Sequence, residues 1–210
     1  MIDQMAWVFF SIPSLLIAST VHEFAHAYSA FLLGDATAKA HGRLTLNPIA
    51  HIDPIGALMM VLVRFGWSKP VPINEYNFQN PVVGTAITSF AGPAANIVVA
   101  LISALPLRFI LRNATSLQSV ESNALVLLIF TFITVNISLA VFNLFPIPPL
   151  DGHKIVRAFL PKSLRYYWES LEQYSVWILV LLFLPISPMY SVLSSLLGSI
   201  LNTLLRFLVG

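Results

Sequence analysis

Long apolar runs separated by short polar, proline-rich stretches set the pattern of this chain. The first run extends from about Met5 to Leu33 and stops at Gly34-Asp35, with no charge between Met5 and Val21. Two more uncharged runs cover about Val82 to Leu107 and Asn123 to Phe145. Roughly 20 apolar residues cross a bilayer, so each is long enough to span one as a helix. Between the first two runs, Ile55 to Phe65 is apolar but too short to span, which predicts a re-entrant or interfacial segment. Ala40 to Leu46 reads as a short strand or hairpin, and Gly66 to Pro81, rich in proline, as extended chain. Residues 153–172 mix Lys154, Arg157, Lys162 and Arg165 with Tyr166, Tyr167 and Trp168, the pattern of a helix lying in the interface. From Gln173 to Leu205 no charge occurs, and Pro185 and Pro188 divide that run into one span plus a second helix.

Composition supports this pattern. Of 210 residues, 57% are hydrophobic and only 10% charged, far below the quarter usual in soluble domains. The chain reads as an all-α polytopic membrane protein whose main partner is the lipid bilayer. A net charge of +2 gives no reason to expect nucleic acid. The absence of cysteine excludes disulfides, cysteine–zinc sites and thiol catalysis. The first run has Asp3 where a secretory leader carries basic residues, so it is not read as a cleaved signal.

That run contains His22-Glu23-Phe24-Ala25-His26. On a helix the two imidazoles lie one turn apart on one face and can reach one metal ion, with Glu23 placed to act as base on an attacking water. Two histidines and a glutamate in hydrocarbon are costly, which favours a functional reason for them. A catalytic zinc takes three protein ligands. The candidates for the third are Asp151, His153, Asp53, His51 and His41. Asp151 is preferred, because the prolines of Asn143-Leu-Phe-Pro-Ile-Pro-Pro-Leu-Asp151-Gly152 break the helix and can lead its carboxylate back into the membrane. The competing role for Asp151 is N-cap of the helix that follows. His41 and His51 read as loop residues and His153 as a surface residue. Asn96 and Asn136 read equally as interhelical hydrogen-bonders and as substrate contacts.

Three motifs together, His22-Glu23-x-x-His26, Gly92-Pro93-x-x-Asn96 and Asn143-x-x-Pro146-x-Pro148-Pro149-Leu150-Asp151-Gly152, resemble the site-2 protease family of intramembrane zinc metalloproteases, peptidase family M50, in its short minimal branch. The resemblance implies a three-helix core with a re-entrant or extended segment and added C-terminal membrane helices, all in one domain over residues 1–210. It implies one Zn2+ held by His22, His26 and Asp151, with Glu23 as general base and acid. It also implies that Asn143, Asn96 and Pro148 border the substrate, a transmembrane protein or peptide cleaved in or near its helix.

Placing Asp151 beside His22 and His26 puts the Gly34 end of the first span and the Asp151 end of the last core span on one side. That side carries Lys39, Arg43, Arg64, Lys69, Lys154, Arg157, Lys162 and Arg165, against Arg108 and Arg112 on the other, with Arg206 unassigned. By the positive-inside rule the site faces the cytosol, and a prokaryotic cell membrane is expected. Two other classes compete: an inactive relative that binds membrane helices, which should lack Glu23 or a ligand, and a metal or ion transporter, which should show repeated helices and a polar path through the bilayer.

Overall fold

A computed structural model describes residues 4–56, 67–113, 123–183 and 188–209. These residues are helical throughout, joined by turns and short extended stretches, with no strand among them beyond one isolated bridge between Ile52 and Ser68. The α-helices are α1 (Gln4–Leu32), α2 (Thr37–Ala40), α3 (Pro81–Arg112), α4 (Ala124–Asn143), α5 (Asp151–Phe159), α6 (Lys162–Glu169), α7 (Ser175–Phe183) and α8 (Pro188–Val209). Short 3-10 turns cover Pro48–His51, Glu75–Asn77 and Ser170–Tyr174.

Helices α1, α3 and α4 pack against one another and carry the site between them. Two described helices, α3 and α4, are long and apolar enough to cross a membrane. Helix α1 has the length, at 29 residues, and carries His22, Glu23 and His26 in its second half. Small residues permit the close approach: Ala18, Ala27 and Ala30 of α1 and Ala100 of α3 are fully buried. Away from the site the core is apolar, built from Ala100, Ala104 and Leu107 of α3, Val126, Ile133, Ile137 and Val141 of α4, and Leu208 of α8.

Asparagines start the elements between and after the runs. Asn80, with Pro81 at the first helical position, accepts from Val83 N and opens α3; Asn123 accepts from Leu125 N and opens α4. Asn47 and Asn74 do the same for the first two 3-10 turns.

Several expectations change. Residues 40–46 form no strand. The Asp35 carboxylate accepts from both the amide (3.0 Å) and hydroxyl (2.5 Å) of Thr37, which starts the single turn of α2, and Gly42 at φ 67° turns the chain out of it. The surface helix expected over 153–172 is broken, because Pro161 forces Leu160 into extended geometry between α5 and α6. Helix α3 continues five residues past Leu107 to Arg112. The segment expected to re-enter the membrane, 55–65, lies outside the described residues beyond Gly56. The 173–207 run forms α7 and α8, on either side of residues outside the described set.

Candidate metal centre

One turn of α1 presents His22 and His26 on its inner face, with ring centroids 4.5 Å apart and the rings nearly perpendicular. Asp151 is the first residue of α5 and enters from the proline-broken end of α4. Its Oδ2 lies 3.1 Å from Nε2 of His22 and 3.1 Å from Nε2 of His26. Leu150, not Asp151, occupies the N-cap position of α5. The chain can make this turn because Gly152 has no Cβ; one there would stand 2.2 Å from the carbonyl oxygen of Leu144.

Each imidazole is fixed through its other nitrogen. His22 Nδ1 lies 2.7 Å from Asn96 Oδ1, and His26 Nδ1 lies 2.7 Å from the carbonyl oxygen of Thr88. Both partners accept, so both Nδ1 atoms carry a proton, and in the neutral imidazoles both Nε2 atoms carry a lone pair. With neutral rings two lone pairs and a carboxylate oxygen converge, which is repulsive until a proton or a metal cation joins them. Ligands of a tetrahedral zinc at about 2.0–2.1 Å stand about 3.3 Å apart, close to the 3.1 Å between Asp151 Oδ2 and each Nε2. The three donor atoms all lie within 4.8 Å of one another, and two imidazoles with one carboxylate suit zinc. Gly92 leaves this space open: a Cβ there would stand 2.5 Å from His26 Nε2. The residues present therefore fit the ion.

Glu23 is buried beside the pair, and both its oxygens are held by the extended chain after Trp67. Ser68 Oγ donates to Oε1 at 2.8 Å and Val71 N donates to Oε2 at 3.0 Å. That chain is itself anchored: Lys69 N donates to His51 O at 2.9 Å, and the buried Arg43 guanidinium donates to Lys69 O. A cleft of about 340 Å³ opens onto the site, with His22, Glu23, His26 and Asp151 on its wall together with Asn143, Pro149, Ser68 and Val71.

Not every residue expected at the substrate faces this cleft. Asn143 does, and its Nδ2 also bonds Leu139 O at 2.9 Å. Asn96 does not: it is fully buried, and its amide is occupied by His22, Ala18 O and Asn136. Pro148 is buried away from the cleft, and Pro149 takes its place there. The chain turns here, with Leu150 N donating to Ile147 O at 2.9 Å, and neighbouring residues of a turn face different ways.

The remaining histidines and Asp53 do not join the cluster of His22, His26 and Asp151. His41 is exposed. His51 lines the cleft, but its Nε2 is 2.8 Å from Thr45 O. Asp53 accepts from Ile55 N and Gly56 N. His153 is not on the surface as expected but almost wholly buried, stacked on Trp168 at 4.8 Å with its Nε2 3.0 Å from Trp168 O. Burial pushes its pKa down against the opposing pull of that carbonyl and Glu172. The sequence missed Ser68, Val71 and Thr88. Ser68 and Val71 sit in a stretch marked only as extended, and the Thr88 contact is made by a main-chain oxygen, which no side-chain motif can signal.

Comparison with known proteins agrees with this chemistry. Residues 110–186, which include Asn143 to Gly152, match the family model described as peptidase family M50. YwhC of Bacillus subtilis, named a zinc metalloprotease, is 37% identical over 81% of this chain and 78% of its own length. Rip2 of Mycobacterium tuberculosis and of Mycolicibacterium smegmatis, named the same way, are 26% and 28% identical over 82% and 81% of this chain and about two thirds of their own. No solved structure matches. With that identity to YwhC over most of both chains, the chain belongs to peptidase family M50, the site-2 protease family, and is a zinc metallopeptidase.

Proposed function

We propose that the protein is an intramembrane endopeptidase that hydrolyses peptide bonds in or near the transmembrane helices of other membrane proteins. The observation that carries this reading is the convergence of His22, His26 and Asp151 beside Glu23 on a cleft between membrane-type helices. His22, His26 and Asp151 would hold one zinc ion, which when bound supplies Lewis-acid polarisation of the scissile carbonyl and makes water acidic enough to lose a proton near neutral pH.

The rest of the reaction belongs to the chain. Glu23 takes a proton from the attacking water and returns it to the departing amide nitrogen. Its Oε2 is fixed by the main-chain amide of Val71, whereas Oε1 is held by the Ser68 hydroxyl, which can rotate away. Oε1 is therefore the oxygen free to act as base. Asn143 and Pro149, on the cleft wall, are the groups placed to border an unwound substrate segment. In this reading the substrate must unfold locally, because a helical peptide bond is shielded by its own hydrogen bonds.

We place the site on the cytosolic side of a prokaryotic cell membrane, in one multi-pass domain over residues 1–210 with α1, α3 and α4 as its core spans. Arg108 donates to Phe207 O, which sets Arg206 at the Arg112 end of α3. Among the described residues, Lys39, Arg43, Lys69, Lys154, Arg157, Lys162 and Arg165 then oppose Arg108, Arg112 and Arg206, a bias that supports this orientation. A transport path through the bilayer is disfavoured by the apolar core around Ala104, Leu107, Val126 and Ile133. The test is a cleavage assay in lipid vesicles on a model transmembrane substrate. Glu23→Gln should retain zinc and lose at least about 100-fold in rate. Equal cleavage by wild type and variant would overturn the role of Glu23. No cleavage of any helix-destabilised substrate by wild type would favour an inactive helix-binding relative.

A further inference from the structure

His22 serves as a ligand only if its Nε2 is free of a proton, and three helices combine to ensure this. Asn96 of α3 and Asn136 of α4 are both fully buried. Asn96 Nδ2 donates to Ala18 O and to Asn136 Oδ1, each at 2.9 Å, so both its hydrogens are occupied. A main-chain carbonyl only accepts, so the edge of the Asn96 amide facing Ala18 must be the NH2. Its oxygen must therefore face His22 Nδ1, 2.7 Å away. Asn136 is oriented by the same logic: its Nδ2 donates to Phe132 O at 2.9 Å, leaving its oxygen for Asn96. Neither amide can flip without setting oxygen against oxygen. The His22 proton is thereby held on Nδ1, although neutral imidazole in water prefers it on the other nitrogen.

We propose that Asn136, which faces neither the ligands nor the cleft, is a positioning residue: through Asn96 it fixes the tautomer and ring plane of His22 before any metal arrives. This rests on the reading of His22 as a zinc ligand. The competing account makes the two amides a tie between helices and nothing more. A tie affects stability; a relay also affects the imidazole.

The test uses the full chain in nanodiscs. Zinc affinity is read by chelator competition, and the ring 15N signals of metal-stripped protein at pH 8 report the tautomer, with His22→Ala identifying the His22 signals. Wild type should show His22 protonated at Nδ1. Asn96→Leu should weaken zinc about 10- to 100-fold and move the proton toward Nε2. Asn136→Leu should act in the same direction, by about 3- to 10-fold. Asn136→Asp, whose carboxyl oxygen still accepts from Asn96 Nδ2, should recover most of the loss. If Asn136→Leu shifts only the unfolding midpoint, with tautomer and affinity as in wild type, the relay is overturned and the tie stands. If His22→Ala binds zinc as wild type does, the ligand reading itself fails and the relay falls with it.

Discussion

Gly92 packs against His26 so closely that a Cβ at position 92 would stand 2.5 Å from His26 Nε2 and 2.8 Å from His22 Cε1. Neither ring can retreat freely, because each Nδ1 is tied to a buried acceptor. The glycine of Gly92-Pro93-x-x-Asn96 thus keeps open the space where the donor atoms of His22, His26 and Asp151 meet.

Gly92→Ala should therefore remove zinc binding by at least about 10- to 100-fold and abolish cleavage, the loss expected when ligand geometry is disturbed. Alanine suits a helix interior better than glycine by up to about 1 kcal/mol, but the clash with the two tied rings costs about 1–3 kcal/mol, so helix content should hold while the unfolding midpoint of the metal-free protein falls modestly. Metal analysis beside a thermal melt checks this. Full zinc occupancy in Gly92→Ala would mean that the rings shift at little cost.

What the sequence made legible follows from the range of the interactions. His22 and His26 share a face because helical geometry is local, and prolines ending α4 point to a returning chain at Asp151. The runs that form α1, α3 and α4 are readable because apolar length is a property of the sequence alone. Contacts set by packing were not readable. Glu23 meets Val71 across 48 positions, and nothing in Pro70-Val71-Pro72 announces an amide donor. His153 reads as a surface residue because its neighbours Lys154 and Arg157 are charged, yet α6 folds Trp168 over it. Asn96 is correctly polar and buried, but which partner it takes depends on how α1 and α4 register against α3.

Arg157 gives a prediction about the helix that carries Asp151. Its Nη1 lies 2.6 Å from Glu75 Oε2 and its Nε lies 2.5 Å from Glu169 Oε1, tying α5 to the turn before α3 and to α6. The Arg157 side chain is only 18% exposed, against 40% for Glu169. Arg157→Met, which leaves Glu75 without its cation, should lower stability by about 1–2 kcal/mol, and Glu169→Gln by under about 0.5 kcal/mol. Zinc content should stay near wild type in both, because the start of α5 is held separately by His153 against Trp168 and by Gly152 against Leu144. Unfolding in detergent, with metal analysis on the same samples, separates the two effects; loss of zinc in Arg157→Met would show that the clamp reaches Asp151.

Asp35 controls the pH dependence of the polar end of α1. It is fully buried, and it accepts from Thr37 N, Thr37 Oγ1, Asn74 N (2.8 Å) and Asn77 Nδ2 (2.7 Å), joining the end of α1 to the chain that leads into α3. Burial raises its pKa, but the hydrogen bonds from Thr37, Asn77 and Asn74 outweigh that and hold it below the ordinary value of 3.8. A carboxylate with a depressed folded pKa stabilises the fold at every pH above its unfolded pKa, and that stability is lost as pH falls through the folded value. Asp35→Asn keeps one acceptor oxygen and turns an NH2 toward a donor, so it should cost about 1.5–3 kcal/mol, as for hydrogen bonds to a charged group. The difference between wild type and variant should be constant from pH 8 to about pH 5. It should shrink only below about pH 4, where Asp35 of the unfolded wild-type chain begins to bind a proton that the folded carboxylate still excludes. Denaturant unfolding across that range checks the sign. A gap that instead closed between pH 8 and 6 would assign the pH dependence to a histidine rather than to Asp35.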